Sequence, residues 1–354
     1  MERAKDYLKG RGAQLNTANP FLLQEYVAEH AEGIDEERVQ QEPTTYLPEF
    51  PRKIINKLDS PDLGLVYSMN PYQGCEHGCI YCYARNTHQY WGLSAGLDFE
   101  RKIIVKENAP ELLEAELRKP RWKPMPIMLS GNTDCYQPIE RKKGITRKLL
   151  QVLLDYRHPV SIITKNHLVL RDLDLLTALN KYDLVHVNVS ITTLNERLRR
   201  QLEPRASAGL KRLQLVRDLT RAGIPVNVMV APIIPFLNSF EIPQLVQAVA
   251  EAGASSVAYT MVRLNGAIGD IFTDWVQQNY PDRASKVLRQ IQAIHGGKLS
   301  DSRFGVRMRG EGEEAGMISR LFKVARARHM AGRSMKPLSV DHFRLAGREQ
   351  LRLF

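Results

Sequence analysis

Four cysteines in 354 residues, three of them within eight positions, are too few and too unevenly spread for a disulfide framework. The opening MERAKDYLKGRGAQLNTANP has no apolar core of the kind a signal peptide carries. The longest apolar run, near VNVMVAPIIPF, is too short to cross the roughly 30 Å of a bilayer. A secreted disulfide scaffold and a membrane-spanning protein are therefore excluded, and a soluble, untargeted, cytoplasmic chain is expected. Acidic residues are also short: 39 Asp and Glu face 50 Lys and Arg, giving a net charge of +11. Between Arg303 and Phe354 twelve basic residues meet five acidic ones, so most of the excess lies in the last stretch. This basic C-terminal region is either a solvated face or a contact for nucleic acid. Its aromatics are sparse (Phe304, Phe322, Phe343, Phe354), which argues against a single-strand stacking platform there.

Hydrophobic residues make up 43% of the chain, enough for a sizeable core. Residues 1–60 are polar and proline-punctuated around EPTTYLPEFPRK, and read as an N-terminal extension with one short helix near FLLQEYVAEH. Six short β-branched runs follow: LVYSM (65–69), PIMLS (126–130), VSIIT (160–164), LVHVNVSIT (184–192), PVNVMVAPII (225–234) and SVAYTMV (256–262). Helical patterns separate them: PELLEAELRK, ITRKLLQVLLDYR, RDLDLLTALNKY, SAGLKRLQLVRDLTRAG and SFEIPQLVQAVAEAG, the last two ending on Gly223 and Gly253 as C-caps. The alternation predicts an α/β fold with a parallel sheet, a partial (β/α)6 TIM-like barrel over 61–265, and a basic, mainly helical C-terminal extension over 266–354. In that extension Ile318, Leu321, Phe322, Ala325 and Met330 form an apolar stripe suited to core packing.

The cysteine cluster lies in PYQGCEHGCIYCYAR, residues 71–85, directly after the first predicted strand. Cys75, Cys79 and Cys82, spaced C-x3-C-x2-C, can converge on one soft metal centre, and Gly74 and Gly78 allow tight turns between them. Three thiolates fit a [4Fe–4S] cluster with one iron left open. Zinc is the rival, with Cys135 or His77 as a fourth ligand. Cys135 by itself reads as a small buried residue, and His77 as a surface residue.

CEHGCIYC after the first of six βα units resembles the signature of the radical S-adenosylmethionine (radical SAM) superfamily. SGNTDCYQPIERKKGITRKLLQVLL, SIITKNHLVLRDLDLL, SITTLNERLRRQLEPRASAGLKRLQLVRDLTRAGIPV and VAPIIPFLN are similar, in order, to segments of its subgroup containing spore photoproduct lyase and "DNA repair photolyase"-like relatives. The resemblance implies an enzyme, lyase- or transferase-like, that cleaves S-adenosylmethionine (SAM) reductively at a [4Fe–4S] cluster and uses the 5′-deoxyadenosyl radical for hydrogen abstraction. It implies SAM contacts from Ser130, Gly131 and Thr133 after the second strand, from Lys165 to the carboxylate, and from Asn188 and Ser190 to the ribose, with Ala231 and Met261 near the adenine. Tyr81 and Tyr83 match tyrosines implicated in hydrogen-atom return in the lyase. Glu140 and Arg205 match subgroup positions and suit structural salt bridges equally well. A flavodoxin- or ferredoxin-like electron donor is implied as partner, and nucleic acid is the first guess for substrate. One departure stands out: Gly131 occupies the place of the lyase's cysteine hydrogen donor, and Cys135 lies four residues on. The reading from another class is a non-enzymatic iron–sulfur or zinc protein that binds nucleic acid.

Overall fold

The six β-branched runs all become strands in the computed structural model, which describes residues 7–22, 43–62, 64 and 67–345. They are β3 (Tyr67–Met69), β6 (Ile127–Leu129), β7 (Val160–Thr164), β8 (Val185–Ser190), β9 (Val226–Ile233) and β10 (Ser256–Met261), paired in parallel and in sequence order. An antiparallel strand, β2 (Ile55–Lys57), adds to β3 at one edge, so the sheet runs β10-β9-β8-β7-β6-β3-β2 and stays open between its two ends. This is the α/β half-barrel the alternation predicted. A second sheet, β1-β5-β4, joins β1 (Thr45–Glu49), β5 (Lys102–Lys106) and β4 (Tyr72–Gln73). It was not predicted, because its strands are short and its pairings link residues far apart. The helix expected near FLLQEYVAEH lies, beyond its first two residues, outside the described residues.

Helices cover the sheet in the crossovers: α1 (Leu97–Arg101) and α2 (Ala109–Leu117), then α3 (Glu140–Lys143) and α4 (Ile145–Asp155), α5 (Leu173–Asn180), α6 (Glu196–Leu202), α7 (Gly209–Arg221) and α8 (Ile242–Glu251). Their apolar spacing explains their seating. In α4, Ile145, Leu149, Leu150 and Leu153 recur on one face and are all buried. Gly223 and Gly253, just past α7 and α8, have φ of 79° and 92°, the left-handed conformation that ends helices and that glycine adopts without strain. Helices cover one face of the strands and the barrel interior the other: β7 is mostly apolar, while β8 and β9 alternate buried valines with partly buried residues such as His186, Asn188 and Asn227.

Beyond β10 the chain forms α9 (Ile268–Asn279), α10 (Pro281–Ala293) and α11 (Gly312–His329). The α11 stripe is core packing: Ile318, Phe322, Ala325 and Met330 belong to the main buried cluster with β9 and β10 residues, and Leu321 packs on it. A second cluster joins Cys79 and Tyr81 to Leu198, Leu237, Val262, Leu264, Phe272, Trp275, Val287 and Ile291. The helices after β10 therefore help to bury the cysteine loop itself.

Candidate cofactor site

The loop between β4 and the 3₁₀ helix Tyr83–Trp91 carries the three clustered cysteines near the carboxyl end of β3. Cys75 and Cys79 are buried and Cys82 is half-buried, and all are free thiols. Gly74 and Gly78 adopt φ of 78° and 66°, as the tight turns require. A Cβ on Gly78 would lie 2.8 Å from Glu100 Oε2, so that turn also admits no side chain. Burial pushes all three upward in pKa, and Cys75 and Cys79 also feel the charge of neighbouring thiols, whereas Arg85 and Lys165 partly offset the rise at Cys82.

Buried ion pairs fix the loop. Arg85 and Glu100 are fully buried and bonded at 2.5 Å. Arg85 also donates to the carbonyls of Cys79 at 2.9 Å, Ala95 at 3.2 Å and Gly96 at 3.0 Å. Glu100 accepts the backbone N–H of Gly12 at 3.0 Å and of Ala13 at 2.8 Å. On the other side Gln137 donates to the Gly74 carbonyl at 3.1 Å and accepts from Glu76 N at 2.9 Å. Glu76 accepts from Ile139 N at 2.9 Å and pairs with Arg205 at 3.1 Å. Glu140 holds Arg171 at 2.6 Å and takes the Tyr72 hydroxyl at 2.5 Å, so both subgroup-matching residues, Glu140 and Arg205, sit in ion pairs.

His77 is a correction. It is 1% exposed, not a surface residue. Its Nδ1 lies 3.3 Å from Asp134 and its Nε2 3.3 Å from the Asn166 amide, because the loop folds inward onto the ends of β6 and β7. Asp134 also accepts from Thr164 at 2.8 Å, Lys165 N at 2.7 Å and Tyr136 N at 2.9 Å. Burial opposes its charge, but His77 and these donors hold it below the usual carboxylate pKa.

The structure brings some of the predicted contacts together and leaves others occupied. Lys165 reaches Ser190 Oγ at 2.8 Å, lies 5.9 Å above the Tyr81 ring, and is electrostatically close to Cys79, Cys82 and Glu203. Among the described residues it forms no ion pair. Ser190 is buried and also donates to the Ala231 carbonyl at 3.2 Å. Ser130, at φ 79°, accepts from Cys135 N at 2.5 Å, and the Thr133 hydroxyl donates to the Tyr72 carbonyl at 2.8 Å, so both close turns. The Asn188 amide donates to Ser161 and to the Ile162 carbonyl, each at 2.9 Å, and accepts from Asn227 at 2.9 Å; it is a tie across three strands. Met261 is buried in the main core.

The two tyrosines part company. Tyr81 is buried, with its hydroxyl donating to Glu203 and 3.0 Å from Thr192. Glu203, paired with Arg212 and taking the Thr192 hydroxyl at 2.6 Å, is held at a pKa of about 2: burial alone would raise it, and Arg212 and Lys165 more than reverse that. Tyr83 is 54% exposed and donates its hydroxyl to the Gly131 carbonyl. Arg85, Glu100, Gln137 and Glu203 were missed by the sequence reading. Glu203 is the first residue of EPR and Gln137 lies in QPIE, but no spacing rule links either to the cysteines.

The donor set fits an iron–sulfur cluster better than a zinc ion. Three free, unpaired thiols share one loop, where burial without a cation leaves thiolates unsupported. Both nitrogens of His77 have other partners, and Cys135 is packed in the main core, away from the second cluster that holds Cys79.

A sequence model described as the Radical SAM superfamily matches residues 69–249. An uncharacterised protein of Mycobacterium tuberculosis is 33% identical over 238 residues, covering 66% of this chain and 70% of its own. One from Methanocaldococcus jannaschii is 31% identical over 231 residues, covering 65% and 82%. Spore photoproduct lyase complexed with dinucleoside spore photoproduct matches with a TM-score of 0.61 at 19% identity over 86% of both chains. A doubly substituted mutant of that lyase, with bound AdoMet and the dinucleoside photoproduct, matches with a TM-score of 0.60 at 19% identity over 86% of both chains. At such identity the likeness shows the fold.

Proposed function

The chain belongs to the radical SAM superfamily, and from that premise we propose that it is an enzyme that holds a [4Fe–4S] cluster on Cys75, Cys79 and Cys82 and cleaves SAM to abstract hydrogen from a nucleic-acid substrate. The family implies both the cluster and SAM, and its members need a reductant. When bound, the cluster supplies the electron that splits the SAM sulfonium and yields the 5′-deoxyadenosyl radical.

The observation that carries this reading is the pairing of three free thiols, two buried and one half-buried, with one ammonium. Lys165, whose ammonium has Ser190 as its hydrogen-bond partner among the described residues, would take the SAM carboxylate as a charge-assisted contact. Ser190 accepts from that ammonium, the Glu203 carboxylate lies within electrostatic reach of it, and Glu203 keeps its charge because Arg212 neutralises it from behind. Tyr81 shields the cysteine loop from water, with its hydroxyl tied back to Glu203. Tyr83 stands at the open side, over the Gly131 carbonyl. Repair of spore photoproduct is not part of the proposal, because Gly131 leaves the donor position without a thiol. Nucleic acid is favoured by the net charge of +11 and by the substrate in the lyase complexes.

Anaerobic reconstitution with iron and sulfide, then dithionite and SAM, tests this by chromatography for 5′-deoxyadenosine. Product at more than one equivalent per chain is expected. A fully loaded protein that makes none refutes the reading.

A further inference from the structure

Arg263 follows the last barrel strand, and the chain around it is built into the mouth. Val262 N bonds Ile233 O at 2.9 Å, Met261 N bonds Met308 O at 2.9 Å, and the Asn86 amide donates to Asn265 O at 2.8 Å. That last bond seats the 263–266 turn on the 3₁₀ helix that begins at Tyr83. Gly266, at φ 59°, is pressed against Asn86: a Cβ there would lie 3.0 Å from the amide.

Among the described residues the Arg263 side chain forms no ion pair. The acid in its neighbourhood, Asp62, is committed to Arg307 at 2.6 Å and to Gly305 N at 2.7 Å. Among the described residues Arg263 Nη1 reaches the Met308 sulfur alone, at 3.6 Å, and its Nε is buried with no partner. Two acceptors of the same turn and helix, Asn265 Oδ1 and Asn86 Oδ1, are buried without donors as well. Burial, then the charge of Arg307, lowers the Arg263 pKa, while Tyr83 and Asp62 support its charge. A half-buried guanidinium beside a second one is a poor arrangement unless an anion visits it.

Rings lie close by. Tyr83 is 54% exposed at this mouth, and Phe304 is 55% exposed under the Arg307 guanidinium, 4.3 Å from its centroid. A guanidinium fork with free donors, two amide oxygens without donors and two open ring faces match one kind of ligand: a phosphate joined to a flat, N–H-bearing base.

We infer that the turn Arg263–Gly266, with Asn86, is the substrate-recognition site of this enzyme, in which Arg263 takes a backbone phosphate of a single nucleic-acid strand and the asparagine oxygens face the base. This rests on the reading of the chain as a radical SAM enzyme, and it moves the nucleic-acid contact from the basic C-terminal region to the barrel mouth. Arg263 is a specificity residue that touches substrate, not one that handles the cluster.

The test is fluorescence anisotropy of a labelled ten-residue oligothymidylate on the cluster-loaded, SAM-bound protein across 50–200 mM salt. Arg263→Gln is expected to weaken binding about tenfold and to reduce the salt slope by about one. Arg263→Lys should recover part of the affinity, and Arg326→Gln, on exposed α11, should stay within about twofold of wild type. Equal binding by wild type and Arg263→Gln overturns the inference, as does a loss confined to Arg326→Gln. Displacement of the oligonucleotide by polyglutamate as readily as by polyphosphate overturns the ligand class in favour of an acidic peptide. Should Arg263→Gln unfold early, Arg263→Lys with a wild-type melting curve carries the comparison: an unchanged salt slope and an affinity tenfold below wild type refute simple charge recognition. Wild-type 5′-deoxyadenosine formation, measured separately without oligonucleotide, reports on the enzyme reading alone.

Discussion

Replacing Glu100 by glutamine isolates the contribution of one buried carboxylate to the cysteine loop. The side chain keeps its shape, but the Arg85 guanidinium loses the one carboxylate it pairs with among the described residues, and one oxygen must serve three donors now 2.5, 3.0 and 2.8 Å away. Breaking a buried pair from one side costs about 3–5 kcal/mol, and a backbone N–H left unmet costs about 1–3 kcal/mol. Because Arg85 keeps three carbonyls, we take the low part of the combined range, about 4 kcal/mol. At roughly 2–3 °C per kcal/mol for a chain of this size, the melting midpoint by circular dichroism should fall by about 8–12 °C. Iron bound per chain after reconstitution should drop too, since Arg85 positions the Cys79 carbonyl directly. Arg85→Met with Glu100→Leu should cost less than the sum of its single variants by more than about 1 kcal/mol. A Glu100→Gln protein that melts within 2 °C of wild type and loads the same iron, or a strictly additive double variant, would show the pair to be incidental.

Lys165→Met should load the cluster normally but bind SAM about ten- to hundredfold more weakly by equilibrium dialysis, because a charge-assisted contact is lost while the cysteines are untouched; unchanged SAM affinity would remove Lys165 from the site. His158, buried between Trp122 and Phe343, has a pKa lowered to about 4 by desolvation, so the unfolded chain binds a proton there before the folded one does. Stability should therefore fall as pH drops from about 6.5 towards 4, by roughly 2 kcal/mol at pH 5 from this residue, and His158→Gln should flatten that part of the melting-temperature profile. Gly78→Ala should lose iron binding and stability, since its φ is 66° and its Cβ would strike Glu100. Gly131→Cys should melt within about 3 °C of wild type, because the nearest atoms to a Cβ there are 3.4 and 3.5 Å away.

The parallel strands were legible because each is a short run rich in β-branched or apolar residues between amphipathic helices, and the cysteine loop because three thiols at that spacing have few uses. What stayed hidden depends on partners remote in sequence. Glu100 is an ordinary acid in LDFER until Arg85 and the turn at Gly12 close on it, and Glu203 is one of many charges until Tyr81 and Arg212 bury it. His77 looked like a surface residue because its anchors, Asp134 and Asn166, lie 57 and 89 positions further on. Thr133 and Asn188 show the converse: residue type and strand-end placement suggested ligand contacts, yet the hydroxyl and amide are occupied by backbone and neighbouring strands.

The apolar cluster that encloses Cys79 and Tyr81 draws half its members from Val262 to Ile291, some 200 residues beyond the loop they cover. On a ribosome the thiols therefore emerge long before their lid. At about 5–20 residues per second the cysteine loop stands uncovered for roughly 10–40 s. That interval is a natural window for iron and sulfide delivery, and it closes once α10 arrives to finish the wall. If the loop holds a cluster as proposed, a chain stalled before residue 262 should offer its thiols readily and hold what it received poorly.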